Sequence, residues 1–128
     1  MKNTTIKIAA VLAFIIGGMA VFAGTKVVIL HQPVDYYVID WLPVYNLLMG
    51  LFTVFVTAIL LWKQHPWATK LTVATLLTHS TVMLILQTAY RSVVAPDSIR
   101  AMTIRITAWV IISALLFFGQ RQGNQSTA

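Results

Sequence analysis

Apolar residues fill this chain in four long runs separated by short polar joints. The runs cover about Ile8–Leu30, Trp41–Trp62, Leu71–Tyr90 and Ser98–Phe118. Each approaches the ~20 apolar residues that a helix rising ~1.5 Å per residue needs to cross ~30 Å of hydrocarbon. The runs are continuously apolar and lack the two-residue alternation of barrel strands. In lipid, every backbone group must also find its partner inside the protein. The pattern therefore predicts an all-α integral membrane four-helix bundle. It forms one domain over residues 1–118, followed by a polar flexible tail at 119–128.

The first run supports two readings. Lys2 and Lys7 precede the apolar stretch, and Val21-Phe22-Ala23 stands before Gly24, as in a signal peptide cut after Ala23. Three helices would then remain. Against this, Val27-Val28-Ile29-Leu30 resumes the apolar pattern after Lys26. A helix reaching Leu30 is long enough to span with some tilt, and the retained helix is the reading adopted. Ala9, Ala13 and Gly17 recur every fourth residue, which places small side chains on one face for close approach to a neighbour.

The joints carry interfacial chemistry. Pro33 and Pro43 limit helix around the first joint, where Tyr36, Tyr37, Trp41 and Tyr45 crowd at headgroup level. Lys63–Lys70 reads as a hairpin holding Trp67, with Trp62 just before it. Pro96-Asp97-Ser98 reads as a helix start capped by Asp97 or Ser98. Gly119 is expected to end the last span.

Composition agrees with this pattern. Charged residues make up 9% of the 128, and 59% are hydrophobic, too few charges to cover a water-soluble surface. The net charge of +6 comes from nine Lys and Arg against three Asp. The cations stand singly at span ends, which suits lipid headgroups and not nucleic acid. Placing Lys2, Lys7, Lys63, Lys70 and Arg121 inside, against Lys26, Arg91, Arg100 and, if it counts for either side, Arg105 outside, puts both termini in the cytoplasm of a plasma or inner membrane. Cysteine is absent, so thiol redox chemistry and thiolate metal sites have no residues to use.

Polar residues within spans are the informative ones. Arg105, flanked by Thr103 and Thr107, lies about seven residues past the predicted cap. It is suited to an anionic or carbonyl-bearing ligand, to snorkelling, or to pairing with Asp35 or Asp40. Asn46, Gln87, Arg91 and Lys26 share its depth band, and together the five outline a candidate ligand site open to the outer leaflet. His79 stands mid-span in Thr78-His79-Ser80-Thr81. It could relay protons or ligate haem, with Met49, Met83 or a second copy's His79 as the other ligand. The plainer expectation is a hydrogen bond to a neighbouring helix. Thr72, Thr75, Thr78, Ser80, Thr81 and Thr88 mark the third helix as the most buried one, or as one lining a wet cavity.

No catalytic constellation, phosphate loop or metal spacing is present. The leading expectation is a non-enzymatic accessory or scaffold subunit, or a binder of a lipid-like or anionic ligand. Its partners would be membrane lipid, a larger membrane protein or further copies of itself, and it needs no cofactor. A small oligomeric transporter or channel using Arg105 and His79 is the alternative. A haem- or quinone-associated redox subunit using His79 is the third reading.

Overall fold

The first helix, α1, spans Thr4–Val28, and its small residues decide the architecture. Ala9 and Ala13 are fully buried and Gly17 lies on the same face, so backbones can approach closely there. The computed structural model describes residues 4–31 and 39–127, with side chains through Arg121. Lys2, Pro33, Asp35, Tyr36 and Tyr37 lie outside the described residues. Within them the chain is helical throughout its four long segments. α2 spans Leu42–Trp62, α3 spans Trp67–Thr88 and α4 spans Pro96–Thr127. All four are long and apolar enough to cross a membrane. They form a four-helix bundle ordered α1, α2, α3, α4 around its axis, with α1 closing against α4.

The α1–α2 seam is the tightest. A Cβ on Gly50 would lie 2.8 Å from the Gly17 carbonyl oxygen and 2.8 Å from the Val21 nitrogen. One on Gly24 would lie 2.8 Å from the Leu47 nitrogen. The Ala9-Ala13-Gly17 face is therefore used inside the bundle. Large apolar side chains such as Phe14, Phe22, Phe55 and Leu77 point outward on all sides, as a lipid-facing surface requires.

α2 is not uniformly wound. Thr53–Thr57 form a π turn, and the Ala58 N–H donates to the Thr53 carbonyl. The segment Thr-Val-Phe-Val-Thr is mostly β-branched and resists tight α winding. The extra residue lets Thr57 and Ala58, adjacent in sequence, both face the interior.

Several expectations are corrected. α3 begins at Trp67 and not Leu71 because the hairpin is short and well capped. Gln64 has φ 56°, its N–H donates to Leu61 O, and the His65 N–H donates to Leu60 O, a Schellman closure. The Trp67 N–H then donates to His65 Nδ1 at 3.1 Å, starting the next helix. α4 starts at Pro96, whose missing N–H costs nothing at a first helical position. The Ala95 carbonyl accepts from Ser98 and Ile99, and Asp97 lies in the first turn, where a negative charge suits the helix dipole. Nor does α4 stop at Gly119. That glycine packs against Ile6 of α1, and the helix continues with Gln120 donating to Thr69 Oγ1 at 2.6 Å.

α3 is not the most buried helix. α1 buries 39% of its apolar window against 28% for α3. Thr78, Thr81 and Thr88 are exposed and donate to the carbonyls of Ala74, Leu77 and Leu84 four residues back. Self-bonding lets hydroxyls face lipid at little cost. Only Thr72, Thr75 and His79 turn their polarity inward.

Candidate functional site

Arg105 and His79 meet in the centre of the bundle, brought there from different helices. Arg105 stands nine residues after Pro96 on α4, roughly 14 Å along the helix. It is 8% exposed. Its guanidinium donates to Asn46 Oδ1 of α2 at 2.5 Å. The side chain thus turns into the bundle and does not snorkel to the headgroups. Asp40 is exposed at the end of the bundle, and Asp35 lies outside the described residues.

His79 of α3 is 4% exposed. The Tyr45 hydroxyl and the His79 Nδ1 are hydrogen-bonded at 2.5 Å, with the direction set by the ring tautomer. Its ring lies 5.7 Å from the Tyr45 ring and 6.3 Å from the Trp109 ring. This is the hydrogen bond to a neighbouring helix. The half of α2 before the π turn and α3 do not touch backbone to backbone. Aromatic side chains fill the interval instead, with Trp41 Nε1 donating to the Tyr90 hydroxyl at 3.0 Å nearer the end.

Asn46, His79 and Arg105 border a cavity of about 10 Å³ floored by Gly17, Gly50 and Thr53. That is space for about one water, which three polar neighbours would hold. A drug-sized ligand needs roughly 300 Å³ or more. Among the described residues, no cluster of three His or acidic side chains could hold a metal.

Arg105 also borders a second space. It forms part of the floor of an open groove of about 600 Å³ between α1 and α4, otherwise apolar and lined by Phe14, Met19, Phe22, Ala101 and Ile104 among others. The Lys26 ammonium lies 5.4 Å from the centre of the ring of Phe22, one of the groove residues. Of the five residues expected to share a site, Arg105 and Asn46 are brought together, and Lys26 stands beside Phe22 on α1. Gln87 and Arg91 are exposed on and just beyond α3, the helix diagonal to α1, and do not reach the groove.

Tyr45, Trp109 and Gly18 belong to the site and were not foreseen. Trp109 follows Arg105 by four residues and shares its face, a spacing that was legible. The Tyr45–His79 contact joins residues 34 apart on different helices, and no local pattern marks it. Three further hydroxyls, on Thr57, Thr72 and Ser113, are buried without a hydrogen-bond partner in the half nearer Lys63.

The Tyr45–His79 bond gives a direct test. Tyr45→Phe is expected to lower stability by about 1 kcal/mol, because the buried His79 Nδ1 loses its hydrogen-bond partner. The double variant Tyr45→Phe/His79→Phe should cost less than the two single changes together. Denaturant titrations of the detergent-purified protein measure both. Strict additivity would mean the two side chains are uncoupled.

No protein-family model, no curated protein and no solved structure matches this chain.

Proposed function

We propose that this chain is a resident, non-enzymatic membrane protein that holds a lipid-like anionic ligand in the outer leaflet, with Arg105 as the anchoring group. The observation that carries this reading is the two-sided setting of Arg105. It is buried, hydrogen-bonded to Asn46 at 2.5 Å, and exposed along one edge to an apolar groove of about 600 Å³. A cation at this depth is costly to insert, by about 2.5–3.5 kcal/mol on translocon scales. Such a cost is offset where the charge meets an anion in a site of low dielectric.

The orientation in this reading has both termini cytoplasmic. Lys7 lies 4.9 Å from the Trp62 ring centre and Lys70 lies 4.9 Å from that of Trp67. These pairs, with Lys63 and Arg121, give the cytoplasmic end its cations and aromatic anchors. α1 supports a retained first helix, since Ala9, Ala13 and Gly17 form the centre of the packing.

Lipid carried through purification tests the proposal. The wild-type protein, extracted in mild detergent, is expected to retain an anionic amphiphile detectable by native mass spectrometry. Arg105→Ala should reduce retention by about tenfold or more, the worth of one charge-assisted hydrogen-bonded contact. Arg105→Lys should fall between, because a lysine lacks the planar fork. Equal retention in all three proteins would overturn the reading.

A further inference from the structure

The end of the bundle that carries the Lys63–Lys70 hairpin is cationic without compensation. Lys7, Lys63, Lys70 and Arg121 are all exposed there, and among the described residues no aspartate or glutamate shares that end. Asp40 precedes α2 and Asp97 opens α4. Both stand at the far end, where Lys26, Arg91 and Arg100 also lie. The counter-charge for the hairpin end therefore comes from outside the described residues. One of its cations is placed with precision: the Lys7 ammonium lies 4.9 Å from the centre of the Trp62 ring.

Trp62 is also part of a groove of about 360 Å³ between α1 and α2. Ala10 and Ala58, both buried, form its floor, and Phe14, Phe55 and Trp62, each at least half exposed, stand beside it. Apart from the Trp62 indole, no lining side chain can form a hydrogen bond. On α1, Lys7, Val11 and Phe14 follow at helical spacing and so share one stripe. Val11 and Phe14 line the groove, and Lys7 stands one turn beyond them towards the hairpin end.

We propose that Lys7 and this groove seat one anionic phospholipid of the leaflet at the hairpin end. One tail lies in the α1–α2 groove, and the phosphate meets the Lys7 ammonium beside Trp62. The site is separate from Arg105 and does not depend on the function proposed above. A hydrocarbon tail asks for no hydrogen bonds, and the groove offers almost none. The α2 wall from Val54 to Trp62 rises roughly 12 Å, enough to hold a tail lengthwise. Tryptophan marks headgroup depth, and an ammonium resting on a ring face keeps N–H donors turned away from it. The neighbouring cations select the head. The phosphate of a zwitterionic lipid is offset by its own ammonium, whereas that of an anionic lipid is not, and each basic side chain near the surface favours the latter. A second copy lying parallel in the membrane would bring the same uncompensated cations to the same face, and like charges oppose that contact.

Binding of dioleoylphosphatidylglycerol and dioleoylphosphatidylcholine to the full chain in mild detergent, counted by native mass spectrometry, tests this. Phosphatidylglycerol is expected to bind about tenfold more tightly. Lys7→Gln should weaken it by about fivefold, the effect of one basic side chain at an anionic surface, and leave phosphatidylcholine almost unchanged. Val11→Trp and Ile59→Trp fill the groove from its two helices at positions that are 47% and 42% exposed. Both should keep the wild-type unfolding midpoint and weaken phosphatidylglycerol by about fivefold or more. The same losses are expected in the Arg105→Met background, which removes the outer-leaflet site. Equal binding of the two lipids, or wild-type phosphatidylglycerol binding in Lys7→Gln, would overturn the inference. So would wild-type binding in both groove variants, or a dimer mass that excludes lipid, which would name a second copy as the occupant. A Lys7 effect that vanishes in Arg105→Met would also overturn it, returning the lipid to Arg105 and leaving the anionic-ligand reading standing.

Discussion

Gly50→Leu is expected to separate α1 from α2 and to be the most disruptive single substitution in the bundle. The atoms that a side chain would meet at position 50 are the Gly17 carbonyl oxygen and the Val21 nitrogen, each 2.8 Å from a Cβ. These are backbone atoms of a continuous helix and cannot rotate away. Overpacking of this kind costs about 1–3 kcal/mol for added methylenes, and more where backbone must move. Even Gly50→Ala should fall within that range. Gly18→Leu supplies the control, since the same change on α1, one residue after Gly17, meets open space and should stay within about 0.5 kcal/mol of wild type. Unfolding by sodium dodecyl sulfate in mixed micelles, followed by tryptophan fluorescence, measures all three. Wild-type midpoints for Gly50→Leu would mean that α1 and α2 do not pack through their glycines.

This contrast also explains what the sequence could and could not reveal. The four spans were legible because length and hydropathy alone report a crossing. Their rotations were not, because in lipid the outward and inward faces are both apolar. Ile111 is exposed and Ile112 is fully buried, yet nothing in the two letters separates them. In the same way Gly17 packs and Gly18 lines an open groove, side by side in the chain. The depth shared by Arg105 and Asn46 could be counted from the helix ends, but not that the two side chains turn toward each other. Gln87 and Arg91 share the depth but face outward, and rotation is not encoded in span lengths. The ends of α3 and α4 were misplaced for a local reason. A turn rich in Lys and His looks like a joint even when His65 caps a helix, and a glycine looks like a stop even when it serves as a contact for Ile6.

Asn46→Leu should destabilise the protein more than Arg105→Met, although the asparagine is the smaller and less polar partner. Removing Asn46 takes one acceptor, its Oδ1, from a guanidinium that is 8% exposed and puts a branched apolar side chain against it. Disrupting a buried charge in this way costs about 3 kcal/mol or more. Arg105→Met removes the charge itself and leaves a flexible apolar side chain of similar length, so about 1–2 kcal/mol is expected, mostly from the Asn46 amide losing its donor. Replacing both partners with apolar groups removes the mismatch from each side. The double variant should therefore recover most of the stability lost in Asn46→Leu. A double-mutant cycle of denaturant midpoints gives the coupling directly, and additive losses would mean that the bond contributes nothing to the fold. The same double variant separates architecture from function. It is expected to fold nearly as well as wild type and yet to carry no anionic amphiphile through purification, because the charge that draws the ligand into the groove is gone.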